Sequence, residues 1–245
     1  MPYRNNTFEK DQLFHITSRA VDERKIFEQE DDNYRFIFQI YAANIGKPGL
    51  NLWKKDTVKA AKDLLNGNDL SSRLVIKEHS PLVDILDFSL NVTHYHFYLK
   101  SNVEGGVPLF MKKLNGGFAM FFNFKHGRKG TLFSGRYKSI SIDNENQADA
   151  VSRYVAIINP LDVYQPGWRE NGIKDWRGAN KFLEEYEFSS FPDKIGRRKS
   201  KILAPQEILR EYSFLNKLKH DDYSEFVKDF LKERLSTYNN ASFLE

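Results

Sequence analysis

The chain has 245 residues, of which 40% are hydrophobic and 14% aromatic, so it can bury a substantial core. It contains no cysteine, which excludes disulfides and thiolate metal sites. The net charge is +4, and the start of the sequence has no apolar signal region. We therefore expect a soluble, cytoplasmic protein without a membrane span, in which imidazole, carboxylate, amide or water would hold any metal.

The first predicted elements are a strand and a helix. Residues 13–21 have the β-branched and aromatic composition of a strand, and dense apolar positions from 31 to 45 predict a largely buried helix. An insertion at about 46–78 follows, with a loop at its start and a short helix at 54–65. Residues 82–90 then predict the second strand of the main sheet.

The second half of the pattern completes a recognisable order. Residues 91–99 predict a third strand, 107–125 an amphipathic helix, and 131–142 a fourth strand. A further helix is predicted to start near Asp143 and to stop at Asn159-Pro160. The first six elements have the β-α-β-β-α-β order of an α+β, ferredoxin-like split βαβ sandwich, with helices on one face of an antiparallel sheet.

The sequence also predicts a division of the chain into two parts. Residues 1–165 would form the main domain, including the insertion, and 166–245 a C-terminal helical extension. The extension is predicted to contain a basic linker and two amphipathic helices, at residues 194–201, 205–218 and 222–235. The linker could be a DNA-binding arm or a solvated tether.

Two histidines in the third predicted strand are the first candidates for chemistry. His94 and His96 are two residues apart, so both side chains point to the same face of an extended strand, while Tyr95 points to the other. The two imidazoles could therefore bind adjacent positions on a divalent cation. The alternative is that they are hydrogen-bonded polar groups of a half-buried strand.

A basic segment follows the histidine strand. Between Gly105 and Ile142 every formally charged residue is basic, namely Lys112, Lys113, Lys125, Arg128, Lys129, Arg136 and Lys138. Such a segment can be a solvated surface. Here glycines and aromatics are interleaved with the cations, which favours single-stranded or hairpin nucleic acid as the partner.

A cation site beside a polyanion suggests phosphoryl transfer, which requires an attacking side chain. The chain has no cysteine and no serine in a recognisable nucleophile motif, so tyrosine remains. Tyr154 lies in the third predicted helix, shortly before Asn159-Pro160. Alternatively, Tyr154 is a core residue whose hydroxyl is hydrogen-bonded within the protein.

Together these segments resemble a known family. The histidine-hydrophobic-histidine at 94–96, the Gly-Arg-x-Gly-x-Leu-Phe-x-Gly-Arg-Tyr-Lys-Ser at 127–139 and the Arg-Tyr-...-Asn-Pro-Leu at 153–161 are similar to those of the REP-associated tyrosine transposases. These belong to the single-tyrosine HUH transposase-like proteins, also called insertion-sequence 200-like transposases. The similarity runs from about residue 12 to 165 and includes His-Ile-Thr-Ser-Arg at 15–19.

The resemblance implies a specific activity. It implies metal-dependent nicking and strand transfer of single-stranded, hairpin-containing DNA, with Tyr154 attacking to give a 5′-phosphotyrosine. His94, His96 and Asn159 would bind Mg²⁺ or Mn²⁺. The DNA backbone would be contacted by four basic residues, Arg19, Arg128, Arg136 and Lys138. The resemblance also allows a homodimer.

One spacing departs from the family pattern. Asn159 follows Tyr154 by five residues, whereas the family commonly has four, which suits one side of a helix. A helical bulge would restore the alignment; otherwise a third ligand would come from elsewhere, such as Gln147. Two other functions therefore remain: a non-catalytic DNA hairpin-binding protein derived from such a transposase, and an RNA-binding module.

Overall fold

The computed structural model describes residues 7–212. The strands are β1 (Leu13–Arg19), β2 (Gly46–Pro48), β3 (Val75–Lys77), β4 (Val83–Leu90), β5 (His94–Ser101) and β6 (Lys138–Ile142). The helices are α1 (Glu30–Ile45), α2 (Lys55–Leu65), α3 (Gly106–Lys125), α4 (Glu145–Arg153), α5 (Asn159–Tyr164), α6 (Trp168–Asn171), α7 (Trp176–Glu185), α8 (Phe191–Lys194) and α9 (Gln206–Tyr212). A 3₁₀ turn covers Val21–Glu23, and a π-helical turn covers Tyr154–Ile158.

The main sheet has four strands in the order β4-β5-β1-β6. Each neighbouring pair is antiparallel, and β1 and β5 lie in the centre. With α1 following β1 and α3 following β5, this is the order and pairing of a split βαβ sandwich. The predicted α+β, ferredoxin-like fold is therefore confirmed.

One face of this sheet packs against α1 and α3 through an aromatic core. Tyr95, Phe36 and Phe118 are fully buried there, and the ring of Phe36 lies 4.8 Å from Tyr95 and 4.9 Å from Phe118. Burying a large apolar side chain contributes roughly 1.5–3 kcal/mol, so this layer supplies much of the folding free energy. Because side chains alternate along β5, the residues on either side of Tyr95 point to the other face.

The insertion differs from its prediction at one end. The helix is present as α2, but Gly46–Pro48 is a strand rather than a loop and pairs antiparallel with Val75–Lys77. Glycine and proline give no strand signal, so this pairing was not readable from composition. The pairing also depends on Gly46, because a Cβ at this position would overlap the backbone carbonyl of Ile76.

The strand predicted at 131–142 is present only from Lys138 to Ile142. The first part of the prediction is wrong, because Leu132 and Phe133 turn into the core, where they are 1% and 8% exposed. Gly135 then takes a left-handed conformation with φ of 69°, which interrupts an extended chain. The segment still follows the end of β1, since the Ser134 N–H donates to the Arg19 carbonyl over 2.8 Å.

The helix predicted to stop at Asn159-Pro160 continues through it. Helix α4 leads into the π-helical turn, and α5 begins directly afterwards at Asn159. Pro160 lies in the first turn of α5, where a backbone N–H has no partner within the helix. The prediction failed because the change of helix type gives proline a tolerated position.

The predicted basic linker at 194–201 is not a solvated tether. The side chain of Lys194 is fully buried and lies 3.0 Å from Asp87, which is also buried. Arg198 pairs with Asp193 at 2.7 Å and donates to the Glu187 carbonyl. These contacts attach the segment to the β4 side of the sheet.

The C-terminal helices are described only in part. Helix α9 agrees with the start of the helix predicted at 205–218, whereas the helix predicted at 222–235 lies outside the described residues. The predicted division at residue 165 stays a prediction. Among residues 7–212, no helix combines the length and apolarity needed to cross a bilayer.

Candidate functional site

The paired histidines lie on the sheet face opposite the aromatic core. In the strand register His94 lies opposite Arg19 and His96 opposite Thr17, so all four side chains belong to the same face of β1 and β5. The two imidazole centroids are 5.1 Å apart. The extended backbone thus places the two rings together, as their spacing predicts.

Hydrogen bonds fix the orientation of both rings. His96 Nδ1 lies 3.0 Å from Thr17 Oγ1 and 3.0 Å from His15 Nε2. His94 Nδ1 lies 3.0 Å from Thr93 Oγ1. Because these contacts engage Nδ1, the Nε2 atoms are the ring positions suited to a ligand, an arrangement typical of histidines that bind metals.

The surroundings keep both imidazoles neutral at physiological pH. Burial, with smaller contributions from the charges of Arg19 and Arg169, lowers the pKa of His94 to about 4. Burial also lowers the pKa of His96 well below its usual range, and neighbouring His15 and His94 add to the effect. A neutral imidazole is the form that binds a metal, so neither ring must lose a proton first.

The π-helical turn resolves the five-residue spacing between Tyr154 and Asn159. The Asn159 N–H donates to the Tyr154 carbonyl, which is the i→i+5 bond of a π-helix. Residues five apart therefore lie one turn apart, as residues four apart do in an α-helix. This is the bulge that the spacing requires if the two side chains are to face one site.

Tyr154 and Asn159 line the same cleft as the histidines. The cleft has a volume of about 670 Å³. Its lining residues are Thr17, Arg19, His94, His96, Ser134, Arg136, Lys138, Tyr154, Asn159, Asp162, Arg169 and Glu170. The structure thus brings together the predicted nucleophile, the predicted metal ligands and three of the four predicted DNA contacts.

The Asn159 side chain is suited to bind a ligand. It is 1% exposed, and within the described part of the chain neither its oxygen nor its nitrogen has a hydrogen-bond partner. An unsatisfied buried amide costs about 1–3 kcal/mol, so it calls for an explanation such as an ion. Together with His94 and His96 it gives two imidazole nitrogens and one amide oxygen.

This donor set fits a divalent cation of the predicted kind. Residues 7–212 contain no cluster of three His, Cys, Asp or Glu side chains, so the set depends on the amide of Asn159. Mg²⁺ and Mn²⁺ accept amide oxygens and complete their coordination with water and phosphate oxygens. The residues present therefore fit Mg²⁺ or Mn²⁺ bound together with a phosphate group.

Two predicted candidates lie elsewhere. Arg128 donates to Asn123 Oδ1 at 2.8 Å and lines a separate cavity near the end of α3. Gln147, the alternative third ligand, accepts from the Asp143 N–H at 2.9 Å near the start of α4 and does not line the cleft. Its side chain is thus engaged at the helix start rather than at the metal site.

The basic segment is partly neutralised by residues distant in sequence. Lys125 lies 2.9 Å from Asp31 and 2.5 Å from Asp32, both in α1. Lys113 lies 3.6 Å from Glu78. The uniform positive charge of the sequence therefore does not persist along α3, and the basic residues of the cleft are contributed by β1, α6 and the segment around β6.

Several residues of the site escaped sequence reasoning. His15 and Thr17 alternate with Arg19 along β1, so their period of two was a usable signal for a shared face. Asp162 and Arg169 gave no such signal. They are seven residues apart and meet only because the chain turns at Gly167, where φ is 76°.

Comparison with known protein families gives a match to one segment of the chain. Residues 67–157 match the family model described as "Transposase IS200 like". This segment, which is less than half of the chain, is similar to the IS200-like transposase family, as its motifs predict. The matched segment includes the paired histidines and Tyr154 and ends just before Asn159.

The other comparisons add less. No curated protein sequence matches the chain. A solved structure described as "Structure of the REP associates tyrosine transposase bound to a REP hairpin" is similar, with 14% sequence identity and a TM-score of 0.44. The similarity covers 84% of this chain and 93% of the other. A likeness this distant carries no conclusion about function.

Proposed function

We propose that this protein is a metal-dependent DNA strand transferase that nicks single-stranded DNA through a phosphotyrosine on Tyr154. The proposal rests above all on the convergence of Tyr154, Asn159 and the two histidines on one cleft. The π-helical turn supports it, because such turns recur at functional sites and this one aligns the tyrosine with Asn159. The match of residues 67–157 to the family model described as "Transposase IS200 like" supports the same reaction class.

The reaction has two balanced steps. In the first, Tyr154 Oη forms a bond to phosphorus as the bond from phosphorus to the 3′ oxygen breaks. The phenol proton passes to water and the 3′ oxygen takes up a proton, leaving a 5′-phosphotyrosine and a free 3′-hydroxyl. In the second, a 3′-hydroxyl of another strand end attacks the phosphotyrosine and releases Tyr154, so one phosphodiester is exchanged for another.

The chain's own side chains have distinct roles in this scheme. His94, His96 and Asn159 would hold a divalent cation, which when bound supplies positive charge to the scissile phosphate. Arg19, Arg136 and Lys138 line the cleft and are suited to contact backbone phosphates.

Arg128 would contact DNA at a different place. Its cavity of about 300 Å³ is also lined by the basic residues Arg24 and Lys25 and by the acidic residues Glu28 and Asp32. We propose that this basic group binds the part of a hairpin that extends beyond the cleft. Its removal should weaken binding without changing the rate of the chemical step.

The direct test is covalent adduct formation with a library of labelled single-stranded and hairpin oligonucleotides in Mn²⁺. A denaturing gel should show a protein–DNA adduct with the unaltered protein and none with Tyr154→Phe or His94→Ala. Tyr164→Phe is the matched control, because the Tyr164 hydroxyl donates to the Asp175 carbonyl over a long 3.4 Å and Tyr164 does not line the cleft. It should form adduct at the unaltered rate.

Two outcomes would contradict the proposal. Adduct formation that survives Tyr154→Phe would exclude Tyr154 as the nucleophile. Hairpin binding without any adduct, in the presence of Mn²⁺ and folded protein, would instead make the protein a non-catalytic hairpin-binding protein.

A further inference from the structure

Arg169 lies beside the predicted nucleophile although it is outside the segment that matches the transposase family. Its guanidinium carbon is 5.4 Å from the centroid of the Tyr154 ring, and its side chain hydrogen-bonds with Tyr154. The family match ends at residue 157, so the sequence comparison gives Arg169 no role. Its contact with Tyr154 nevertheless makes it part of the same cleft.

Besides Tyr154, Arg169 contacts the carboxylate of Asp162. Its Nε and Nη2 atoms donate to the two carboxylate oxygens of Asp162 at 3.1 and 2.7 Å. The indole N–H of the fully buried Trp168 donates to the same carboxylate at 2.8 Å. A bidentate pair supported by a buried indole fixes the plane of the guanidinium.

The electrostatics agree with this geometry. Burial alone would lower the pKa of the Arg169 guanidinium, but hydrogen bonds and charge from Asp162 and Tyr154 outweigh burial and raise the pKa. Arg169 therefore stays charged in the cleft. The other charged residues that line the cleft are Arg19, Arg136, Lys138, Asp162 and Glu170.

The phenol of Tyr154 is packed on its other sides by neutral rings. His15 and His96 approach it edge-on, with centroid distances of 5.8 and 5.5 Å. These contacts limit rotation of the ring but do not orient its hydroxyl. The hydrogen bond with Arg169 is a directional contact that can orient the hydroxyl.

We propose that Arg169 is a positioning residue, which holds the Tyr154 hydroxyl in the orientation needed to attack phosphorus, while Asp162 holds Arg169. This inference rests on the proposed function. A contact of this kind would orient the nucleophile in advance of the attack. The chemistry would then depend on α5 and α6, beyond the family-matched segment.

The test separates positioning from DNA binding. Arg169→Ala should lower the rate of adduct formation at saturating oligonucleotide by about 10- to 100-fold, because a misplaced reacting group costs about that much. The dissociation constant for the same oligonucleotide should change by no more than about 2-fold, which corresponds to less than 1 kcal/mol. Arg136→Ala, in the same cleft, should instead raise the dissociation constant for this oligonucleotide.

Chemical rescue distinguishes a positioning role from a purely structural one, because added guanidinium would not restore activity lost through a structural change. Millimolar guanidinium chloride should restore part of the rate of Arg169→Ala, whereas sodium chloride at equal ionic strength should not. Arg169→Lys should be only partly active, because an ammonium lacks the planar fork that pairs with Asp162. Arg177→Ala, at an exposed position of α7, is the control and should behave as the unaltered protein.

The outcomes distinguish this inference from the proposed function. If the unaltered protein forms the adduct and Arg169→Ala forms it equally fast, the positioning role is wrong and the strand transferase stands. An effect confined to DNA affinity would also overturn the inference. If Arg169→Ala does not fold, Asp162→Asn gives the same test, with a smaller rate loss expected. If the unaltered protein forms no adduct, both proposals fall.

Discussion

The two faces of the central sheet are built on different principles, although they share the strand β5. The face toward α1 and α3 is a dry aromatic layer around Tyr95. The other face carries His94 and His96 and is covered by the π-helical turn and α5. One face is filled by apolar rings, whereas on the other the Asn159 amide is buried without a hydrogen-bond partner among residues 7–212.

This difference separates the residues that stabilise the fold from those that are suited to bind a ligand or to react. A buried polar group without a partner is retained against its energetic cost, which is common where a ligand completes the site. The comparison can be tested by making equivalent changes on each face.

The largest effect is expected from the aromatic face. Phe118→Ala should lower the free energy of unfolding by about 3–5 kcal/mol, because its ring is fully buried and packs on Phe36 and Phe27. Met120→Ala on the same helix is the control; Met120 is 70% exposed, so the change should stay within about 0.5 kcal/mol. Chemical denaturation measures both. Equal losses would contradict the assigned packing.

The same substitution at two asparagines compares a side-chain amide that has hydrogen-bond partners with one that has none among residues 7–212. Asn44 donates to the Val83 carbonyl at 2.9 Å and accepts from its N–H at 3.0 Å, so Asn44→Leu should cost about 1–3 kcal/mol. Asn159→Leu should be neutral or stabilise the metal-free protein by about 1 kcal/mol, since it removes a buried amide that has no hydrogen-bond partner in the described part of the chain. Denaturant unfolding of both variants tests the opposite signs.

The same Asn159 variant should lose function. Calorimetric titration with Mn²⁺ should show binding to the unaltered protein and to Asn44→Leu, but weaker or no binding to Asn159→Leu. A variant that is destabilised and still binds Mn²⁺ normally would contradict the view that this amide is held for a ligand.

The two histidines should also make the stability of the protein depend on pH. The pKa values of His94 and His96 are lowered in the folded state, so the unfolded chain binds more protons below its ordinary histidine pKa of about 6.5. Stability of the metal-free protein should therefore be unaffected by these groups above that pH. It should fall toward pH 4, by up to about 1.4 kcal/mol per pH unit for each histidine.

His94→Gln and His96→Gln should each make this pH dependence shallower. Unfolding midpoints measured from pH 7 to about 4.5 would show it as a smaller decrease in stability. A decrease of the same slope in both variants would mean that other groups control acid stability.

The sequence predicted the fold and the histidine pair because both follow from short-range periodicity. The alternation of side chains between the two faces of β5 can be seen in the sequence, and each predicted strand of the main sheet is present at least in part. The sequence could not show that the helix continues through Pro160, because the π-helical turn depends on packing of buried residues 154–158. The five-residue spacing did suggest a helical bulge, but it equally allowed a third ligand from elsewhere, such as Gln147.

The contact between Asp162 and Arg169 was beyond sequence reasoning for a different reason. It joins two helices across a turn, and nothing periodic relates the two positions. The same holds for the ion pair of Lys125 with Asp32, which are far apart in sequence. Asp32 neutralises part of the positive charge of a segment in which every charged residue is basic. Side chains brought together by tertiary structure leave no local pattern.

The most direct test of the account is the intact mass of the protein after incubation with a hairpin oligonucleotide and Mn²⁺, followed by peptide mapping. The account predicts a mass increase equal to one cleaved 5′-phosphorylated fragment, located on the peptide that contains Tyr154. The same adduct on a different residue, or an unchanged mass after demonstrated strand cleavage, would contradict it.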